Sequence, residues 1–331
     1  MRVALVGAGA VGRRVAQNLA AEPQVELLTI VHRDPESVNG LLQELGDGVA
    51  FRRGGVEDVP PADVTVVAVP TGNARAAEVA LAHGSHVVSC ADDPAEVRQL
   101  LGCDRLARTL ERSVVVGAAM APGLGCVLAA RLRSSFDRVD EVHVASVGTG
   151  GPACARRHHA ALTALAFDWE DGEWRRRPGG SGRELVWFPE PVGGADCYRA
   201  GLADPLLLVP AFPGVRRVTA RLEATRRDRM TSWLPMMRRP HPEGLVGAVR
   251  VEMRGWISGE AHTSILGVAA APAVAASAAC TLAGLWAGRG LLARNGAGGL
   301  AEMIATPGLF LKDLAPWGVR VSSFEGDPSL L

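Results

Sequence analysis

Lysine is almost missing from this sequence: Lys312 is the only one in 331 residues, although Lys and Arg together number 35. Chemistry that needs several lysines is excluded. The arginine-for-lysine bias, with abundant alanine and glycine, reads as genome composition. Tyrosine also occurs once, as Tyr198, and aromatic residues make up only 5% of the chain. Net charge is absent too, because 35 acidic residues balance the 35 basic ones. That balance argues against a nucleic-acid footprint and a generally polybasic membrane surface. The six cysteines, at 90, 103, 126, 154, 197 and 280, form no C-x-x-C pair, so neither a zinc ribbon nor a redox dithiol is indicated. The N-terminus has no signal-type apolar segment, and a reducing cytoplasm is the expected compartment.

The longest stretch without Asp, Glu, Lys or Arg is 261–288. Its Ala, Gly, Ser and Thr content and the interruption at Pro272 give it a weak drive into lipid. A buried helix at a domain or subunit interface is the expectation. The length itself suits two domains with a sizeable core.

What is present is concentrated at the front. Residues 3–6 form an apolar run that passes directly into Gly7-Ala8-Gly9-Ala10-Val11-Gly12, the G-x-G-x-x-G spacing. A helical pattern follows, with Val11, Val15 and Leu19 on one face. A second strand is expected over 25–31. In that context Gly7 allows the tight turn, Gly9 lets the backbone approach a pyrophosphate, and Gly12 lets helix pack on strand. The helix start at Ala10 and Val11 then presents unpaired N–H groups to phosphate.

The second strand ends Val31-His32-Arg33-Asp34. A fold that prefers NAD usually places an acid here, on the ribose 2′-hydroxyl. An arginine at this tip instead suits a 2′-phosphate, which it grips bidentately, with His32 as a second donor. NADP(H) is therefore favoured over NAD(H). The competing reading has Arg33 solvated and Asp34 on the ribose. Further strands over 64–69, 86–90 and 114–117, with a helix over 74–83, extend the pattern to a doubly wound parallel sheet. Ligands bind beyond the carboxyl ends of such strands, so Val69, Pro70, Thr71, Ala91 and Asp92 are candidates to line the cofactor.

From about residue 140 the pattern becomes antiparallel in style, with strands expected over 141–147, 185–188, 215–222 and 245–256. Along 249–254 the apolar residues alternate with Arg250, Glu252 and Arg254, and Arg217 and Arg221 alternate similarly. Such a face is either wet or one wall of a cleft in which arginines hold substrate carboxylates. Arg250, Arg254, His262 and Glu190, the last held between two prolines, are the substrate-contact candidates. His158 and His159 are adjacent, so on a helix they point apart, and no Asp or Glu follows at i+3 or i+4; no metal is expected. One of the two facing the cleft as a proton donor or substrate contact suits the pattern better. His158, Asp92 and Tyr198 are the catalytic candidates, although a lone tyrosine is more often a packing residue than a general acid.

Residues 114–132, "VVVGAAMAPGLGCVLAARL", together with "HVVSCADD" before them, resemble the saccharopine dehydrogenase family and its shorter relatives. In that family a strand ends in a small-residue turn, and Pro-Gly-Leu, here Pro122-Gly123-Leu124, enters the helix that opens the substrate domain. The run 167–194, "FDWEDGEWRRRPGGSGRELVWFPEPVGG", resembles the family's aromatic–Asp/Asn-Gly-x-Trp and Phe-Pro-x-Pro-x-Gly segments. A His-Pro-Glu-like element found in many members is missing, since the matching region reads "YRAGLADPLLLVP". The resemblance implies a Rossmann domain over 1–121, to which 290–331 returns, and an α+β substrate domain with a mainly antiparallel sheet over 122–289. The return includes "PWGVRVSSFEG", expected as a final strand. Pro122 and Gly123 join the cofactor-lining candidates. It also implies an NADP(H)-dependent oxidoreductase acting on a C–N bond of a small, amino-acid-derived substrate, as a homodimer assembled through the substrate-domain sheet or the Ala-rich helix. Reduction of a C=C or C=O bond, and a non-catalytic dinucleotide-binding sensor or assembly subunit, are the alternatives.

Overall fold

The computed structural model describes residues 1–324 apart from Arg238, Glu243 and the side chain of Asp47. Its first half alternates strand and helix: β1 (Arg2–Val6), α1 (Ala10–Ala20), β2 (Leu27–His32), α2 (Asn39–Leu45), β3 (Val49–Arg53), β4 (Val64–Val67), α3 (Asn73–Ala82), β5 (His86–Ser89), α4 (Pro94–Gly102), α5 (Asp104–Thr109) and β6 (Ser113–Val116). The second half runs α6 (Leu124–Arg133), β7 (Arg138–Val147), α7 (Pro152–Ala161), β8 (Leu165–Glu170), β9 (Glu173–Pro178), β10 (Glu184–Trp187), β11 (Gly194–Arg199), α8 (Asp204–Leu208), β12 (Arg217–Glu223), α9 (Arg226–Thr231), β13 (Gly247–Ile257) and β14 (Glu260–Ala270). It ends with α10 (Pro272–Gly288), β15 (Gly296–Gly299), α11 (Leu300–Met303), α12 (Pro307–Asp313) and β16 (Val321–Ser323).

Seven strands form one parallel sheet in the order β15-β6-β5-β4-β1-β2-β3. Strands buried on both faces need near-continuous apolar runs. Residues 3–6, 64–67 and 113–116 are accordingly all buried. The order reverses at β1/β4, the switch point beyond which such sheets bind ligands. The second sheet runs β10-β11-β12-β7-β13-β14-β16, with β8 also paired to β12 and to β9. It is antiparallel except for β12 against β7. One face packs on α6, where Gly125 lets the helix approach Val144 and Val249. Alternation then sends Arg250, Glu252 and Arg254 to the other face.

Helix α10 is the buried helix expected for 261–288, and its packing shows what buries it. It lies on the parallel sheet against β4, β5 and α1. Fifteen of its 17 residues are buried within this chain. A Cβ added to Gly284 would sit 3.5 Å from Val66, so the small residues let the helix lie close on the strands. Its last turn is fixed by Trp286, edge-on to Phe310 at 5.2 Å between ring centroids. The Ala-rich composition is thus a packing requirement of the first domain, and this helix has no free face for a dimer contact. Among the described residues no helix is long and apolar enough to cross a membrane.

After α10 the chain divides its return. β15 adds to the parallel sheet beside β6, whereas β16 pairs with β14 in the second sheet. The expected final strand "PWGVRVSSFEG" is realised as β16, with its last two residues outside the described ones.

Candidate active site

A cleft of about 380 Å³ opens where the two sheets meet. Its walls are the β1–α1 turn at Gly9, Ala10 and Val11, the end of β4 at Val69 and Pro70, and the end of β5 at Cys90, Ala91 and Asp92. The turn at 119–121, the end of β7 and the start of α7 close it from the second domain. Its size is that of a small-molecule site, roughly 300–1,000 Å³.

The three glycines of the turn differ in what they require. Gly7 has φ +95°, and a Cβ there would lie 2.5 Å from the Ala68 carbonyl oxygen. A Cβ on Gly12 would collide with the Gly7 carbonyl oxygen. Gly9 has φ −74° and ψ −163°, a backbone any residue adopts, and nothing lies within 4 Å of its would-be Cβ. Neither backbone nor packing requires glycine at Gly9, and the space above it is open. Helix α1 has no side-chain cap and no acid in its first turn, so its leading N–H groups face outward as an anion site. The turn fits a dinucleotide pyrophosphate.

The end of β2 holds that turn in place. The Ala8 N–H donates to His32 Nδ1 at 3.3 Å, and the Gly7 N–H donates to the Val31 carbonyl at 2.9 Å. Burial, opposed by Asp34 and reinforced by Arg13 and Arg33, holds His32 below its usual range, as suits a ring nitrogen that accepts. His32 therefore anchors the glycine turn through Nδ1, a role the sequence reading did not assign. Asp34 accepts from the Glu36 N–H at 3.1 Å and shapes the following turn. Arg33 is exposed beside Gly55, and Arg13, whose side chain donates to the Ser37 carbonyl, also lies close enough to act on His32. The tip of β2 is thus cationic. Arg13 was missed because its signal, one turn into α1 on the polar side, is common to any amphipathic helix.

The loops after β4 and β5 are tied together by Asn73, another residue the sequence reading overlooked. It is fully buried. Its Nδ2 donates to the Val69 carbonyl at 3.1 Å, and its Oδ1 accepts from Ser89 Oγ at 2.9 Å. Ser89 Oγ in turn accepts from the Ala91 N–H at 3.1 Å. Both lining loops are fixed by one side chain. Thr71 is exposed and outside the cleft. Pro122 and Gly123 lie behind the lining: Gly123 has φ +127°, and a Cβ there would strike the Ala119 carbonyl, so the pair shapes the turn whose residues 119–121 face the cleft.

At the far wall His158 Nε2 stands 3.8 Å from Asp92 Oδ2, with the His158 side chain 11% exposed. Cys154, one turn earlier on α7, places Sγ 3.6 Å from the same nitrogen. Burial, opposed by Asp92 and reinforced by Arg157, holds the imidazole below its usual range. Arg157 is ion-paired with Asp93 at 2.6 Å and donates to the Gly201 carbonyl at 2.7 Å, which locks α7 to the start of α4. Arg156 lines the cleft, is exposed, and has no ion-pair partner among the described residues. His159 turns away, its Nε2 at 3.1 Å from the Thr231 and Leu234 carbonyls.

The remaining candidates lie elsewhere. Tyr198 is 5% exposed in a small core with Ala161, Leu202 and Leu222, with Arg229 over its ring at 4.2 Å. It packs, and does not reach the cleft. Arg250 and Arg254 are both committed to Glu252, at 2.7 Å each. Burial opposes ionisation of Glu252, and the two guanidinium hydrogen bonds outweigh it, holding its carboxyl below the usual range. His262 lines a separate polar groove with Glu141, Arg217 and Arg254 on the outer face of the second sheet. Glu190 is exposed in the β10–β11 loop. These four belong to the face turned away from the dinucleotide turn, so the sheet's wet side is not the cleft wall.

One buried acid behind the site has a measurable consequence. Asp204 is 2% exposed, its Oδ1 lacks a hydrogen-bond partner, and burial with the field of Asp92 pushes its carboxyl from 3.8 up to about 7, against a backbone hydrogen bond. Between those values the unfolded chain releases a proton that the folded chain keeps, so Asp204 costs stability as pH rises through that window. Asp204→Asn is expected to stabilise the protein, by an advantage that grows toward about pH 7 at up to about 1.4 kcal/mol per unit and is then constant. Thermal melts at about pH 5 and about pH 8 check this; a difference independent of pH contradicts it.

Three comparisons bear on this geometry. Residues 2–93 match the family described as NADP oxidoreductase, coenzyme F420-dependent. No curated protein matches the sequence. Among solved structures, apo saccharopine dehydrogenase (L-Glu forming) from Saccharomyces cerevisiae superposes with a TM-score of 0.70 at 13% identity, over 97% of this chain and 99% of that one. DAP dehydrogenase from C. glutamicum, in complex with DAP, superposes with a TM-score of 0.50 at 15% identity, over 96% and 98%. The chain has the two-domain fold of these dehydrogenases, and the resemblance read from the motif blocks holds at the level of fold.

Proposed function

We propose that this protein is an NADP(H)-dependent oxidoreductase acting on a carbon–nitrogen bond of a small amino-acid-derived substrate. One juxtaposition carries the reading: His158, beside Asp92, shares a cleft with a glycine turn open to a pyrophosphate. The nicotinamide of a bound dinucleotide supplies or takes up the hydride. The protein does the rest. Gly9 and the first N–H groups of α1 receive the pyrophosphate. Arg33, with Arg13 nearby, offers a 2′-phosphate a cationic end. Val69, Pro70 and Met120 give the cleft apolar walls that keep water from the reacting carbon. His158 Nε2 holds or delivers the proton exchanged with the substrate nitrogen, and Asp92 stabilises the charged ring.

Arg156 suits a substrate carboxylate, being a guanidinium in the cleft with no acid on it among the described residues. The saccharopine and DAP dehydrogenases that share the fold support an amino-acid-derived substrate. The cleft also speaks against a non-catalytic dinucleotide sensor. It is open, with Arg156 and His158 set among mainly apolar walls, where a sensor is expected to fill it with apolar side chains.

The test is NADPH consumption, followed by absorbance, with amino acids or amines paired with 2-oxo acids and aldehydes. Turnover that needs both partners is the expected result. Turnover with a carbonyl compound alone would move the reaction to C=O reduction, and none with any pair would overturn the reading.

A further inference from the structure

Helix α7 carries Cys154 and His158 one turn apart, so both side chains leave the same face of the helix. That face looks at the end of β5, where Asp92 projects. Sγ, Nε2 and a carboxylate oxygen of the three residues all lie within 4.8 Å of one another. The ring's other nitrogen, Nδ1, is buried, with the Gly148 backbone close enough to act on the ring. Nε2 is free to present its lone pair between the sulfur and the carboxylate.

We propose that Asp92, Cys154 and His158 form a binding site for a soft divalent cation of the zinc class, with its fourth position open to the cleft. The chemistry of the donors selects the ion: thiolate and imidazole suit zinc, whereas magnesium and calcium take oxygen ligands. The spacing agrees. Zinc–sulfur and zinc–nitrogen bonds of about 2.3 and about 2.0 Å at a tetrahedral angle separate the two atoms by about 3.5 Å. The observed separation is 3.6 Å. The nitrogen–oxygen pair would stand about 3.3 Å apart in such a site. Here it is 3.8 Å, a difference that a small rotation of the half-buried Asp92 removes. Three protein ligands with one open position is the arrangement of zinc sites that exchange water or substrate. The thiol proton of Cys154 leaves to solvent as the sulfur–metal bond forms, and no electrons are transferred.

Occupancy has a consequence for turnover, which rests on the role given to His158 above; the binding itself does not. A metal on Nε2 takes the lone pair that would carry the proton, so cation and proton transfer exclude one another. The site is then inhibitory, and zinc slows an enzyme whose dinucleotide binding is unchanged. The expectation that this chain binds no metal overlooked the pair because it looked forward from His158 to i+3 and i+4, and not back to the cysteine at i−4.

Cobalt(II) is the probe, titrated into the chelator-treated full chain and followed by absorption. One ion per chain, with a thiolate-to-cobalt charge-transfer band and the intense ligand-field bands of four-coordination, is expected; zinc should bleach them. Cys154→Ser should abolish the charge-transfer band, and His158→Asn should weaken binding at least tenfold. Cys90→Ser, which alters a neighbouring thiol outside the trio, should leave the band in place. Absence of the band in the wild type overturns the proposal, as does a band that survives in Cys154→Ser. NADPH titration of the same samples separates this outcome from failure of the dehydrogenase reading, because the dinucleotide turn shares no residue with the trio.

Discussion

Gly9→Ala is expected to weaken NADPH binding by about 100-fold, equivalent to about 2.7 kcal/mol, while leaving the protein folded. The expectation follows from the contrast among the three glycines. At Gly9 a methyl group meets no protein atom and strains no dihedral, so the folded chain accepts it. The residue caps α1, and alanine at a cap costs about 1 kcal/mol at most relative to glycine. That lowers the thermal midpoint by about 2–4 °C. The methyl would instead occupy the space through which a pyrophosphate approaches the backbone. Gly12→Ala is the counterpart: its methyl collides with the Gly7 carbonyl, so it should lower the midpoint sharply. NADPH fluorescence titration beside a thermal melt checks both. If Gly9→Ala binds normally, the pyrophosphate does not lie on this turn.

His158→Ala should lower kcat by about 10²–10⁴-fold, the usual worth of a positioned proton donor or base, with the dissociation constant for NADPH unchanged. His158 is inside the cleft but on α7, across from the glycine turn, so its loss removes no contact to the pyrophosphate. A purely structural role predicts another pattern: lower stability, with kcat and KM moving together. Asp92→Asn should give a smaller loss in kcat, since the ring remains and only its charged partner is gone. A His158→Ala enzyme with full kcat would remove this residue from the chemistry.

The first domain was legible because its signals reinforce one another. Residues 3–6 supply a strand, the G-x-G-x-x-G spacing a turn, and Val15 and Leu19 a buried helix face. All are realised in β1 and α1, and each expected strand of that domain formed within a few residues. β3 escaped notice because Val49–Arg53 has only three apolar residues at the sheet edge. In the second domain alternation correctly marked 249–254 as two-faced but carried no information on which face meets the cleft. Arg250, Arg254 and His262 were chosen from the wrong side for that reason. Tyr198 was chosen for its rarity, and rarity is not a physical argument. The pair that the fold brings together across the cleft, Asp92 with His158, comes from distant parts of the chain. Each residue was nameable alone from strand-end and helix logic; their meeting depends on how α7 docks, which the Arg157–Asp93 ion pair helps to fix. Arg156 had no local signal, since it is one of many arginines in this sequence.

The central claim is that the tip of β2 reads the 2′-phosphate of a dinucleotide held by the Gly7–Gly12 turn. Its most direct test is a fluorescence titration with NADPH and with NADH, on the wild type and on Arg33→Ala. The account predicts that NADPH binds at least about tenfold more tightly, about 1.4 kcal/mol, and that the gap closes in the variant. Equal affinities for both cofactors in the wild type would contradict the assignment of Arg33, and binding of neither would contradict the site itself.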